Sequence, residues 1–176
     1  MKIGFTGTMS VGKTTLVHSL QGLPEFADYT FTTERSKYLR DLGIPLNVDS
    51  TIKGQMVFMA ERASELIQPN IITDRTIIDV MAFTSLAKSI PHFMVDEFHN
   101  LASNLINEYD YIFYISPEGV ELEDNGVRTI DPKYRMKIDK EIKKIILLNK
   151  SKIKRYVELS GTNTERIQKI KQVMSL

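Results

Sequence analysis

An α/β fold, a mostly parallel sheet covered on both faces by helices, is predicted by three observations. Short apolar runs alternate along the chain with longer segments of helical period, the signature of strand–helix–strand units. Several runs are apolar at every position, as strands buried under helices on both sides should be. No internal repeat, low-complexity tract or Pro/Gly/Ser-rich stretch divides the 176 residues, and a chain of that length fits one domain spanning 1–176.

The runs are Ile3 to Phe5, Tyr29 to Phe31, Ile71 to Thr73, Tyr111 to Ile115 and Ile153 to Leu159. Between the second and third, Met56, Met59, Ala60, Ala63 and Ile67 recur at helical spacing. That spacing predicts a helix with an apolar stripe turned to the core and methionines as its filler. Phe98, Leu101, Ala102 and Leu105 repeat the pattern, as do Ile138, Ile142, Ile145 and Ile146. From Pro117 to Pro132 the rhythm breaks into turn formers. Asp131-Pro132 then reads as an N-cap followed by proline at the first helical position. A loop this long in a compact fold is commonly a functional lid or a disordered connector. With the basic helix start that follows (Lys133, Arg135, Lys137), the segment 117–135 is expected to act as a lid.

Composition excludes several chemistries. Hydrophobic residues make up 42% and charged residues 26%, an ordinary globular balance. The formal net charge is +1, so no global field favours nucleic acid or anionic lipid. Absence of cysteine removes disulfides, thiolate catalysis and cysteine-bound zinc. His18, His92 and His99 lie too far apart for metal-site spacing. The chain starts directly on an apolar strand, which predicts neither signal peptide nor membrane anchor and makes a cytoplasmic location the expectation.

One motif carries chemistry outright. Gly7-Thr8-Met9-Ser10-Val11-Gly12-Lys13-Thr14 matches G-x-x-x-x-G-K-[ST] in full, with an apolar strand before it and a helical stretch from Thr15 after it. Its glycines let the backbone form a nest of N–H groups around phosphate oxygens, and the helix N-terminus adds partial positive charge. Lys13 is expected to bridge the β- and γ-phosphates and the Thr14 hydroxyl to ligate Mg²⁺. This makes the expected architecture a three-layer P-loop NTPase fold with a lid segment.

Further candidates sit at strand ends, where ligands bind in open parallel sheets. Asp74, closing Ile71-Ile72-Thr73, is a candidate metal ligand or proton acceptor, and Arg75 a phosphate contact. Thr33-Glu34-Arg35 follows the second strand in the same way. Glu34 is a candidate general base or hydroxyl ligand, with Arg35 and Arg40 as substrate contacts. On the lid, Arg128 follows Asn125-Gly126, and Arg135 stands on the next helix. Both are candidates for closing over a transferring phosphoryl group, with Asp124 orienting one of them. Tyr38, Phe58 and Phe83 are candidate pocket walls. The basic run Lys150 to Arg155 is the one feature that points toward a DNA strand.

Together, Gly7 to Thr15, Thr33-Glu34-Arg35, Thr73-Asp74-Arg75 and Asp124-Asn125-Gly126-Val127-Arg128 resemble the small P-loop kinases. The similarity is to the nicotinamide-riboside-kinase-like and deoxynucleoside-kinase-like group whose members are often labelled AAA-type ATPases. It covers most of the chain in the correct order, and only the phosphate loop is highly specific. It implies transfer of the ATP γ-phosphate to a nucleoside or nucleotide, with Mg²⁺, a strand-end acid serving the acceptor hydroxyl and lid arginines clamping the phosphates. No apolar strand ends in the paired acids of a Walker B box, and there is neither an Asn-Lys-x-Asp nor a strand-end Asp-x-x-Gly guanine-nucleotide motif. These absences argue against an AAA+ motor and a switch GTPase and favour ATP. The expectation is an ATP- and Mg²⁺-dependent kinase of a nucleoside or nucleoside monophosphate. Two alternatives share the motifs: a kinase of a hydroxymethylpyrimidine base in DNA, and a regulatory module that hydrolyses ATP without passing phosphate on. Acceptor identity and oligomeric state are left open.

Overall fold

A computed structural model describes residues 1–33, 35–120 and 131–176. Its centre is a five-stranded sheet in which every pairing is parallel. The strands are β1 (Lys2–Thr6), β2 (Thr30–Thr32), β3 (Ile71–Thr73), β4 (Tyr111–Ile115) and β5 (Tyr156–Leu159), in the order β2-β3-β1-β4-β5. Four of the five begin within a residue of the expected runs. The fifth starts three residues later than expected, at Tyr156, following a 3₁₀ turn at Lys150–Lys152.

Alternation along the strands sends side chains into two helical layers. Tyr111, Phe113 and Ile115 join Ile3, Phe5 and Ile72 against α1 (Lys13–Gln21) and α7 (Asn163–Met174). On the other face, Ile112 and Tyr114 pack with α4 (Ile77–Ser85), α5 (His92–Ala102) and α6 (Pro132–Leu148). Gly4 is required in β1 because a Cβ there would stand 2.7 Å from the Tyr109 ring. The short α2 (Ser36–Asp41) and α3 (Ile52–Glu65) follow β2.

Helix starts follow the local chemistry. Asp131 caps α6, accepting from the Lys133 amide at 2.8 Å with Pro132 at the first position, as the sequence predicts. Capping boxes open α4 (Thr76 with Asp79) and α7 (Thr162 with Glu165). Ile138, Ile142 and Ile145 are buried as expected. The α3 stripe is not: Met56 is 53% and Ile67 78% exposed, while the helix buries Gly54, Gln55 and Arg62. Ile67 lies past the helix end; of the stripe Met59 packs partly buried against the core beside Ile52 and Phe58, and polar residues share that inward side.

Candidate active site

Parallel pairing brings the carboxyl ends of β1, β3 and β2 to one edge of the sheet, and the motif loop leaves β1 there. Its backbone takes left-handed φ at Ser10 (56°) and Gly12 (83°), the alternation that turns successive N–H groups to one side. At Gly12 a Cβ would also stand 3.1 Å from an Arg166 guanidinium nitrogen. Lys13 Nζ donates to the carbonyls of Gly7 at 2.6 Å and Thr8 at 2.8 Å. The Thr14 hydroxyl donates to Asp74 Oδ2 at 2.5 Å, so the acid at the end of β3 meets the first turn of α1. Asp74 is 1% exposed. Two adjacent hard oxygens, one of them a carboxylate, fit Mg²⁺, which commonly takes one or two protein ligands and leaves the rest to phosphates and water. Among the described residues no group of three or more His, Cys, Asp or Glu forms a self-sufficient cage.

Beside the loop lies an open cleft, lined by Met9 of the loop, by Ser36, Leu46, Asn47 and Ser50, by Gln55 and Phe58 of α3, and by Arg75, Asp79, Val80 and Phe83. Asp79 joins the two sites. Its Oδ1 accepts from the Gly7 amide at 3.3 Å, and its Oδ2 from the Thr76 amide at 2.9 Å and hydroxyl at 3.1 Å. Arg75 stands 3.7 Å from that carboxylate and 5.3 Å above the Phe83 ring.

The family model described as an AAA domain matches residues 2–166 of this chain. The chain belongs to that AAA domain family. No curated protein sequence matches it. Among solved structures, the deoxyadenosine kinase from M. mycoides with bound dCTP superposes with a TM-score of 0.65 at 17% identity, covering 100% of each chain. NadR in complex with NR gives a TM-score of 0.76 at 18% identity over 99% of this chain and 51% of NadR. YorR from Bacillus subtilis, in complex with phosphorylated GDP, gives 0.64 at 14% identity over 100% and 96%. At these identities the likeness establishes the fold, which is that of the P-loop kinases.

The remaining predicted residues of this AAA domain fall as follows. Arg35 is half exposed, 3.5 Å from Glu61 and stacked 4.6 Å over Tyr38, outside the cleft lining. Arg40 pairs with Asp41 at 2.8 Å. Phe58 and Phe83 are cleft walls, whereas Tyr38 is a solvent-facing ring. Glu34, Asp124 and Arg128 lie outside the described residues. Arg135 does not face open solvent above the loop. It is 7% exposed, and its Nε and Nη2 donate to the Met9 and Ser10 carbonyls at 3.1 and 3.2 Å. Of the basic run, Lys152 donates to Ser103, Lys154 pairs with Asp110, and Arg155 stacks on Tyr111.

Sequence reasoning missed Asp79, Gln55 and Arg166. Asp79 carried a signal, since Thr76-Ile77-Ile78-Asp79 has capping-box spacing. Gln55 and Arg166 carried none, each being one polar residue among many on its helix. Arg166, 6% exposed on α7, donates to the Val11 carbonyl at 2.7 Å. Burial lowers the pKa of Arg166, and of Arg135 with Asp139 opposing it; both guanidiniums stay charged at neutral pH.

No helix among the described residues is long and apolar enough to cross a membrane.

Proposed function

We propose that the chain is a kinase that transfers the γ-phosphate of ATP to a hydroxyl of a nucleoside, the single domain 1–176 being built for that reaction. One observation carries the reading: the phosphate loop and an aromatic-walled cleft share a wall at Met9, and Asp79 touches both. Donor and acceptor can therefore be held side by side, which is what phosphoryl transfer asks of a protein. Missing guanine-reading motifs support ATP as donor.

A nucleoside is favoured over a nucleoside monophosphate. Among the described lining residues Arg75 is the one cation, and it faces the Asp79 carboxylate at 3.7 Å. A phosphate dianion would need several converging arginines. The lining offers instead two phenyl rings, Phe58 and Phe83, and the amides of Gln55 and Asn47, suited to a planar ring with a hydrogen-bonding edge.

In the proposed mechanism the loop amides and Lys13 hold the triphosphate. Thr14 and Asp74 would hold Mg²⁺, which when bound neutralises charge developing on the phosphates. With Asp74 committed to Thr14, the proton acceptor is assigned to Glu34, two residues before the cleft residue Ser36. The acceptor oxygen bonds to the γ-phosphorus as the bond to the β–γ bridging oxygen breaks, its proton passes to Glu34, and ADP leaves. Arg128 covers the γ-phosphoryl group.

The test is an ATP-consumption screen against nucleosides, nucleoside monophosphates, nicotinamide riboside and hydroxymethylated DNA, with product masses read directly. One phosphorylated nucleoside bears the proposal out. A phosphorylated base in DNA, or ADP release without any phosphorylated acceptor, overturns it.

A further inference from the structure

The phosphate loop belongs to neither sheet nor helix, so its backbone shape must be imposed from outside. A nest that turns N–H groups toward phosphate turns its carbonyls away. Here the carbonyls of Met9, Ser10 and Val11 point into packed protein, where each needs a donor. All three accept from buried guanidinium groups, Met9 and Ser10 from Arg135 on α6, and Val11 from Arg166 on α7. The tie to α6 is reciprocal, because the Thr8 hydroxyl donates to the Arg135 carbonyl at 2.9 Å. Arg135 also donates to the Val120 carbonyl at 2.7 Å, joining the segment after β4 to the same bracket.

From this geometry we propose that Arg135 and Arg166 are positioning residues. They hold residues 8–12 in the phosphate-binding shape and so set affinity for the triphosphate without touching the nucleotide. The inference rests on the reading of the loop as the triphosphate site, and it gives Arg135 a different task from covering the transferring group. Charge-assisted donors suit the task, since they make the strongest hydrogen bonds to carbonyls and place positive charge behind the nest. Two helices supply them from opposite flanks, so the loop is braced on both sides before any ligand arrives.

The experiment compares wild type with Arg166→Met, which keeps the apolar stem but removes the donor, and Arg166→Lys, which keeps a charged donor. Binding of ATP, GTP and inorganic triphosphate is measured by calorimetry, with thermal stability recorded in parallel. Loss of one charged hydrogen bond predicts about a tenfold or greater loss of affinity in Arg166→Met. The factor should be the same for all three ligands, and Arg166→Lys should recover most of it. Unchanged affinity with a lower Tm means a packing role and overturns the proposal. So does a loss confined to ATP, which would make Arg166 a reader of the base. If Arg166→Met does not fold, Arg135→Gln and Arg166→Gln, which keep a polar side chain but remove the charged donor, carry the test: each should weaken all three ligands equally, and wild-type affinity in both sinks the idea. Wild type that binds none of the three overturns the reading of the loop itself. Wild type that binds ATP but phosphorylates nothing overturns only the kinase reading.

Discussion

Gln55→Leu should make the free protein more stable and its reaction worse. Gln55 sits on α3 with 2% of its surface exposed and lines the cleft together with Phe58 and Phe83. Its backbone amide is bonded to the Thr51 carbonyl, but its side chain makes no hydrogen bond to another described residue. Its side-chain amide atoms are not among those wholly cut off from solvent, and an amide wetted only through the cleft costs about 1 kcal/mol. Leucine fills nearly the same volume without that cost, and a gain of about 1 kcal/mol raises Tm by roughly 2–4 °C in a chain of this size. If the amide serves a base edge, the bound acceptor supplies its missing partners. Leucine then leaves that edge unpaired, at about 1–3 kcal/mol, or roughly 5- to 150-fold in acceptor KM. Thermal scans of the ligand-free protein followed by acceptor titrations of initial rate read both terms. A lower Tm with an unchanged acceptor KM would refute the reasoning, because Gln55 would then be a structural residue that happens to border a cavity.

Lys13→Ala should abolish phosphoryl transfer with the fold intact, since Arg135 and Arg166 still brace the loop; an active variant with native circular dichroism would sink the assignment. Arg128→Ala should act mainly on turnover, on the order of 10³-fold if the guanidinium works as an arginine finger; a change in acceptor KM alone would assign it to binding. Burial raises the Glu65 carboxyl above its ordinary value, against the pull of Arg62 at 2.7 Å. The folded chain therefore holds that proton more tightly than the unfolded one, and the group's contribution to stability falls as pH rises through the raised value. Glu65→Gln should flatten the dependence of Tm on pH above the ordinary glutamate value of about 4.3; an unchanged slope would mean that the dependence comes from elsewhere.

The parallel sheet was legible because its central strands β1, β3 and β4 are buried and read as apolar runs, Tyr111 to Ile115 above all. The loop was legible because phosphate binding needs glycine, lysine and threonine at fixed spacing. Asp74 was legible from its place at a strand end, and the structure sets it against Thr14. What did not show was whatever depends on a partner distant in sequence. Arg166 meets Val11 across 155 positions, and nothing in the α7 sequence marks one arginine among its charges as buried. Arg135 was visible as a cation near the lid, but a single sequence could not distinguish a guanidinium facing phosphate from one facing the carbonyls behind the nest.

The misread stripe on α3 follows from the cleft itself. Periodicity assigns the apolar face of a helix to the core on the premise that inward means apolar. On α3 the inward side borders partly the cleft and partly a buried ion pair. Gln55 and Phe58 line the cleft, and Arg62 donates to Glu65 at 2.7 Å further along the helix. Polar residues thus occupy positions that periodicity reserves for core, and Met56 is displaced to the outer face. A helix whose buried positions are Gly54, Gln55 and Arg62 is poor material for a hydrophobic core. That composition makes physical sense only if the helix borders something polar, so the failed stripe is itself a sign that α3 walls a binding site. The same reasoning ties Gln55→Leu to the fold: making this face more core-like should add stability in proportion as it removes polar surface from the cleft proposed to take the acceptor.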